Sequence, residues 1–248
     1  MANPIHQFEI TPLIPLSVGN IDISYTNSAL WMTIAVVVST LFLTLAMNRK
    51  ALVPGRAQAF AEIMYEFVAN MIRDNIGPKG MQYFPLIFTL FMVVLLGNVL
   101  GLFPYSFTYT SHIIVTAALA FIIFLTVLVI GFARHGLHFL ELFVPPGVPG
   151  WLMPLILPIE IMSFLIRPVT LSVRLFANMI AGHIMLKVFA GFSAGMVALG
   201  VGGVALGILP MVFNSVLIGF ELMIAFLQAY VFAILSCIYL KDTVEIGH

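Results

Sequence analysis

The chain has 248 residues, of which 62% are hydrophobic and only 8% charged, with net charge zero and mean hydropathy +1.13. A soluble globule of this size carries roughly 25% charged residues, so the composition excludes that class and points to an integral membrane protein. Neutrality removes the basic footprint of a nucleic-acid binder, and the lone Cys237 excludes an internal disulfide or a thiolate metal site.

The first 27 residues lack a basic leader and contain Pro4, Pro12 and Pro15, so they do not read as a signal peptide. The first apolar run, residues 28–47, is long enough to cross a bilayer. Residues 56–76 differ. Phe60, Ile63, Met64, Phe67, Val68, Met71 and Ile72 recur at helical spacing, while Gln58, Glu62, Glu66, Asn70 and Asp74 fill the other side. This pattern predicts an amphipathic surface helix, lying on the membrane or docked against another helix. Residues 84–103 and 112–132 suit one crossing each. Residues 151–190 and 204–240 are longer. As helices they would run ~60 Å and ~55 Å at ~1.5 Å per residue, against a hydrocarbon core of ~30 Å. They must tilt or bend, with Pro154, Pro158, Pro168 and Pro210 as candidate kinks.

Loop charges set the orientation. Arg49, Lys50, Arg56, Arg73 and Lys79 follow the first span, Arg134 with His135 and His138 the third, and Lys241 the last. The loops at 104–111 and 190–203 carry no charge. This alternation predicts five crossings, with the N-terminus outside and the C-terminus in the cytoplasm. The expectation is a single all-α membrane domain over residues 1–248: five transmembrane helices, one surface helix, and a long tilted final hairpin.

Charges inside the last two segments carry the function. Glu160, Arg167 and Arg174 are seven apart and Asn178 follows by four, which keeps them on one helical face with Ser163 and Thr170 beside it. Arg174 is the costliest of these. Its guanidinium stays protonated, and at bilayer depth it costs roughly 2.5–3.5 kcal/mol on insertion scales, so it marks an ion or substrate path. A bland alternative for Glu160 and Arg167 is a structural stitch between the two. Asn214, Glu221 and Gln228 form a matching stripe, again seven apart. His183 lies about 180° round the helix from Arg174. In an antiparallel hairpin, one register centred near residues 201–202 brings His183 level with Glu221 and Arg174 level with Gln228. That centre falls in Gly200-Val-Gly-Gly203, a natural turn. The opposite faces of Arg174 and His183 then call for a bend at Pro168, a splay, or a long arginine reach.

Other signals are discounted. Gly191-Phe-Ser-Ala-Gly195 matches a serine-hydrolase pattern without its strand–turn–helix setting. His135 and His138 lack further metal ligands nearby, and no cofactor is implied. The pairs Gly97/Gly101, Gly191/Gly195 and Gly203/Gly207 suggest close helix packing.

Leu171-Ser-Val-Arg-Leu-Phe-Ala-Asn-Met-Ile-Ala-Gly-His183, Gln228-Ala-Tyr-Val-Phe232, Asn98-Val-Leu-Gly-Leu-Phe-Pro104 and Gln7-Phe-Glu9 together give the chain a strong resemblance to the a subunits of rotary F-type ATP synthases. The resemblance implies a non-catalytic proton-channel stator. Its partners would be a ring of small two-helix c subunits, b-type peripheral stalk subunits and membrane lipid. Arg174 would face the ring carboxylates with Gln228 beside it. His183 and Glu221 would line one half-channel, in a mitochondrial-like and alphaproteobacterial-like order, and Glu160 and Ser163 the other. Arg167 stands where some relatives have lysine. The expected location is a bacterial inner membrane rather than a mitochondrial one. The competing classes are a secondary transporter anchored by Arg174, which usually shows an internal repeat, and a membrane serine protease.

Overall fold

The structure is a computed structural model. It describes residues 8–15, 17–18, 21–22, 24–48, 54–103, 106–144, 152–198 and 200–244. Gln7, Arg49, Lys50, Pro104 and Trp151 lie outside the described residues.

The chain opens with two small antiparallel strand pairs. β1 (Pro12–Ile14) pairs β4 (Tyr25–Thr26), and β2 (Ser17–Val18) pairs β3 (Ile21–Asp22). Asn27 anchors this segment: its Nδ2 donates to Glu9 O at 3.0 Å and its Oδ1 accepts from the amide of Thr11 at 3.2 Å. Thr26 then caps the first helix, its Oγ1 accepting the Ala29 amide at 3.3 Å.

Among the described residues six α-helices follow: α1 (Asn27–Met47), α2 (Arg56–Ile76), α3 (Phe84–Gly101), α4 (Ile113–His135), α5 (Met153–Val197) and α6 (Val201–Val244). Five of them, all but α2, lie in segments long and apolar enough to cross a membrane. The fold is therefore that of a multi-pass helical membrane protein with one additional amphipathic helix. The N-terminal strand pairs are an addition that the helical periodicity did not foresee. α5 and α6 have 45 and 44 residues, and at ~1.5 Å per residue each is about twice the ~30 Å hydrocarbon thickness. Pro158, Pro168 and Pro210 lie inside them.

The chain divides into two compact units. The first contains Met1–Phe42, Met92–His112 and Leu175–Ala229. In it, α5 and α6 are antiparallel, held by Ser193 Oγ donating to Gly207 O at 2.9 Å and by stacking of Phe189 on Phe213. The second contains Leu43–Phe91, Ile113–Arg174 and Tyr230–His248. In it, Phe67 of α2 packs on Phe91 and Tyr230, and Phe124, Phe139 and Phe143 surround Phe164.

Three expectations change. The hairpin turn comes earlier than 201–202: α5 ends at Val197, Gly200 has φ +92°, and α6 begins at Val201. Gly202 and Gly203 are therefore helical. The Gly191–Gly195 stretch lies inside α5 rather than in a turn, and neither glycine meets a neighbour. Gly97 and Gly101 do permit close approach, but to Tyr109 and Thr108 of the following loop rather than to a second helix. On α2, Val68, Met71 and Ile72 are buried as the periodicity requires, whereas Phe60 and Ile63 remain 50% and 60% exposed. The helix thus docks on its own unit and still presents apolar surface.

Candidate functional site

His183 and Glu221 meet in the first unit. Both are buried, and His183 Nδ1 lies 2.6 Å from Glu221 Oε1. The approach depends on Gly182: a Cβ there would lie 2.8 Å from the carboxyl carbon Cδ of Glu221. On its other side the imidazole Nε2 lies 2.7 Å from Thr108 Oγ1 and 3.0 Å from the carbonyl oxygen of Gly101. Phe8 stands 6.3 Å away, ring centre to ring centre. The N-terminal segment therefore reaches this site.

The second polar pair belongs to the same unit. Asn178 Nδ2 donates to Gln228 Oε1 at 3.0 Å. Asn98, fully buried, donates from Nδ2 to Ala225 O at 3.4 Å. Several polar atoms here are buried without a hydrogen-bond partner: Asn98 Oδ1, Asn214 Oδ1, Glu221 Oε2 and Gln228 Nε2. Each such atom costs about 1–3 kcal/mol if left dry. With Thr110 Oγ1 and His112 Nε2 they make six such atoms in this unit, all with hydrogen-bonding capacity to spare among the described residues.

The α5 stripe faces outward. Arg174, Asn178, Ser163 and Thr170 are exposed, and Glu160 is half-buried. Among the described residues no carboxylate is ion-paired with Arg174. Arg167 is paired, but with Asp242, Nη1 to Oδ2 at 2.9 Å, and its guanidinium lies over the rings of Tyr239 and Phe164. The Glu160–Arg167 stitch therefore gives way to a bridge between α5 and α6. Asp242 lies beyond the expected last span, 204–240, and α6 continues through it.

The tension between the faces of Arg174 and His183 also dissolves. Arg174 is exposed and His183 is buried, so the two need not share a face. Gln228, expected level with Arg174, has Asn178 as its hydrogen-bond partner.

Sequence reasoning missed Thr108, Gly101 and Asp242 as partners, and it passed over Lys187, exposed on α5 four residues after His183. Lys187 carries a stem long enough to snorkel to an interface. In the second unit, Phe67, Asn70, Met71, Asp74, Asn75 and Tyr230 line a cavity of about 240 Å³ that no motif announced. His112, at the edge of α4, stacks on Phe107. Ser193 is engaged with Gly207 O in mid-helix, which leaves no basis for a protease reading.

The ATP synthase A chain family matches residues 29–241, most of the chain. The chain belongs to that family. It is 57% identical over 246 residues to the ATP synthase subunit a of Chelativorans sp. (strain BNC1), covering 99% of both chains. The subunit a of Mesorhizobium japonicum is 57% identical over 246 residues, covering 99% of this chain and 98% of that one. The subunit a of Rhizobium leguminosarum bv. trifolii is 56% identical over 245 residues with the same coverage. Similarity of this extent reaches all six helices, so family membership rests on nearly the whole chain and not on the arginine block alone.

Proposed function

We propose that this chain is the non-catalytic, proton-translocating stator of a rotary ATP synthase, set in a bacterial inner membrane with its N-terminus outside. It works against a ring of two-helix c subunits and is held by b-type peripheral stalk subunits. The observation that carries the reading is Arg174: a permanent charge, exposed on a membrane helix, with no carboxylate paired to it among the described residues. Such a group must have its counter-charge on another chain. A carboxylate that arrives and departs supplies it.

The mechanism follows from charge and burial. Protons from the outer side reach the buried pair of His183 and Glu221, with Asn98, Asn214 and Gln228 offering unpaired polar atoms nearby. They neutralise a ring carboxylate. A neutral carboxyl can face lipid, whereas an ionised one pays a prohibitive desolvation cost. Turning the ring brings the carboxyl to Arg174, whose charge favours the ionised form and expels the proton. Release proceeds to the cytoplasm by a path that includes Glu160 and Ser163, with Arg167 beside it. Arg174 also repels any hydrated proton crossing directly between the two paths. Each charge that crosses gains about 2.3 kcal/mol per 100 mV of membrane potential.

The test is Arg174→Ala in the complete ATP synthase, reconstituted in vesicles. Proton-driven ATP synthesis should vanish while assembly persists, and a passive proton leak should open. Arg174→Lys should fail substantially too, because an ammonium can deprotonate when buried and lacks the planar fork. Normal synthesis by the alanine variant would overturn the reading. Exchanging His183 and Glu221 together should preserve more proton flow than either single replacement.

A further inference from the structure

Both nitrogens of His183 are engaged, and the partner of one dictates the state of the other. Nε2 faces the Gly101 carbonyl at 3.0 Å. A carbonyl oxygen can only accept, so this contact is a hydrogen bond when Nε2 carries the proton. The Thr108 hydroxyl faces the same ring nitrogen at 2.7 Å, and it spends its own proton on the same carbonyl, Oγ1 to Gly101 O at 3.2 Å. Its lone pairs are left for the imidazole. All three contacts are satisfied together when Nε2 carries the hydrogen. In the opposite tautomer the Thr108 hydroxyl would turn its proton to Nε2 and give up its bond to the Gly101 carbonyl.

The site is built to hold this arrangement. A Cβ at position 101 would fall 2.5 Å from Thr108 Oγ1, so glycine is what lets carbonyl and hydroxyl share the ring. The backbone around Thr108 is tied by Ser111 Oγ donating to Thr108 O at 2.6 Å and by Tyr109 OH donating to Val93 O at 2.8 Å.

With Nε2 occupied, two lone pairs cannot face each other across the 2.6 Å between Nδ1 and Glu221 Oε1. One proton must lie on that line. The remaining carboxyl oxygen, Glu221 Oε2, is buried and has no hydrogen-bond partner among the described residues. We propose that Thr108, acting with the Gly101 carbonyl, is a positioning residue that pins the His183 imidazole with its Nε2 proton in place, so that protons enter and leave the pair through Glu221 Oε2 and never through the ring. This rests on the half-channel reading above. A proton given by a hydronium to Oε2 converts the pair, with its one shared proton, into an imidazolium and a neutral carboxylic acid. Loss of the Oε2 proton to the next water or carboxylate restores the starting state. Passage through the ring would require Nε2 to release its proton while facing the carbonyl.

The experiment uses the complete ATP synthase in vesicles with Thr108→Val and Thr108→Ser, beside Glu221→Gln and Arg174→Ala. Valine keeps the shape and removes the hydroxyl. It should slow ATP-driven proton pumping about tenfold, the rate equivalent of one buried hydrogen bond, at normal levels of assembled complex. Serine should stay within about twofold of the parent. Imidazole ¹⁵N spectra, with the His183 signal identified by its loss in His183→Gln, should show Nε2 protonated in the parent and in Thr108→Ser, and a mixture of ring states in Thr108→Val. Parental pumping by Thr108→Val, equal damage from valine and serine, or an unprotonated Nε2 in the parent would overturn the inference. Failure of Thr108→Val to matter while Glu221→Gln and Arg174→Ala abolish pumping removes the inference alone. Normal pumping by the latter two removes the half-channel reading itself.

Discussion

Gly182 matters because of what it leaves empty. Glu221 approaches from α6 to a point where any side chain at position 182 would strike its carboxyl. Gly182→Ala should therefore push the carboxyl off His183, while costing α5 no helical propensity, since alanine is the better helix former. Proton pumping in vesicles should fall by roughly tenfold or more, as one charge-assisted hydrogen bond worth about 1.5–3 kcal/mol is lost. Shortening the acid with Glu221→Asp on the Gly182→Ala background should recover part of that loss. If the alanine variant pumps like the parent, the contact does not govern transfer. At this scale His183 and Glu221 were legible, because an ionisable group in an apolar run has few inexpensive explanations. Thr108 was not. A hydroxyl in a short polar loop has no periodicity to betray it, and its partners lie 75 residues away (His183) and on the end of another helix (Gly101).

The elements show why register is harder to read than existence. Long uncharged runs and loop charges were enough for the helices, since only a helix satisfies its own backbone in lipid. The final hairpin was placed with a turn at 201–202, whereas Gly200 closes it and the next two glycines join α6. The His183–Glu221 level was nonetheless right, because the two helices drift in register. Between Ser193 and Asn178 α5 advances 15 residues, while α6 advances 21 between their partners Gly207 and Gln228. A constant-register rule cannot see that drift. Near the other ends of these helices, Arg167 and Asp242 form a bridge about one-third exposed on each side. Reversing the pair, Arg167→Asp with Asp242→Arg, should restore most of the thermal stability that either single reversal removes from the purified complex. A coupling up to about 1 kcal/mol is expected for a pair this exposed. Additive single effects would mean the bridge holds nothing together.

For the whole molecule the consequence of five crossings is opposite placement of successive loops. Lys79 lies between α2 and α3, and Ala198 follows the end of α5 in the α5–α6 turn. In the proposed topology three crossings, α3, α4 and α5, separate them and put them on different sides. The uncharged α5–α6 turn and the basic segment around α2 agree with that parity, because cytoplasmic loops collect lysine and arginine. Cys237 is fully buried, so its thiol stays silent toward a bulky aqueous reagent, and single cysteines can be read against it. Lys79→Cys should react with a membrane-impermeant maleimide in inverted vesicles and not in intact cells stripped of their outer envelope. Ala198→Cys should show the reverse. Labelling of both from one side would break the five-crossing orientation. It would also remove the outer placement of His183 and Glu221 on which the proposed direction of proton entry depends.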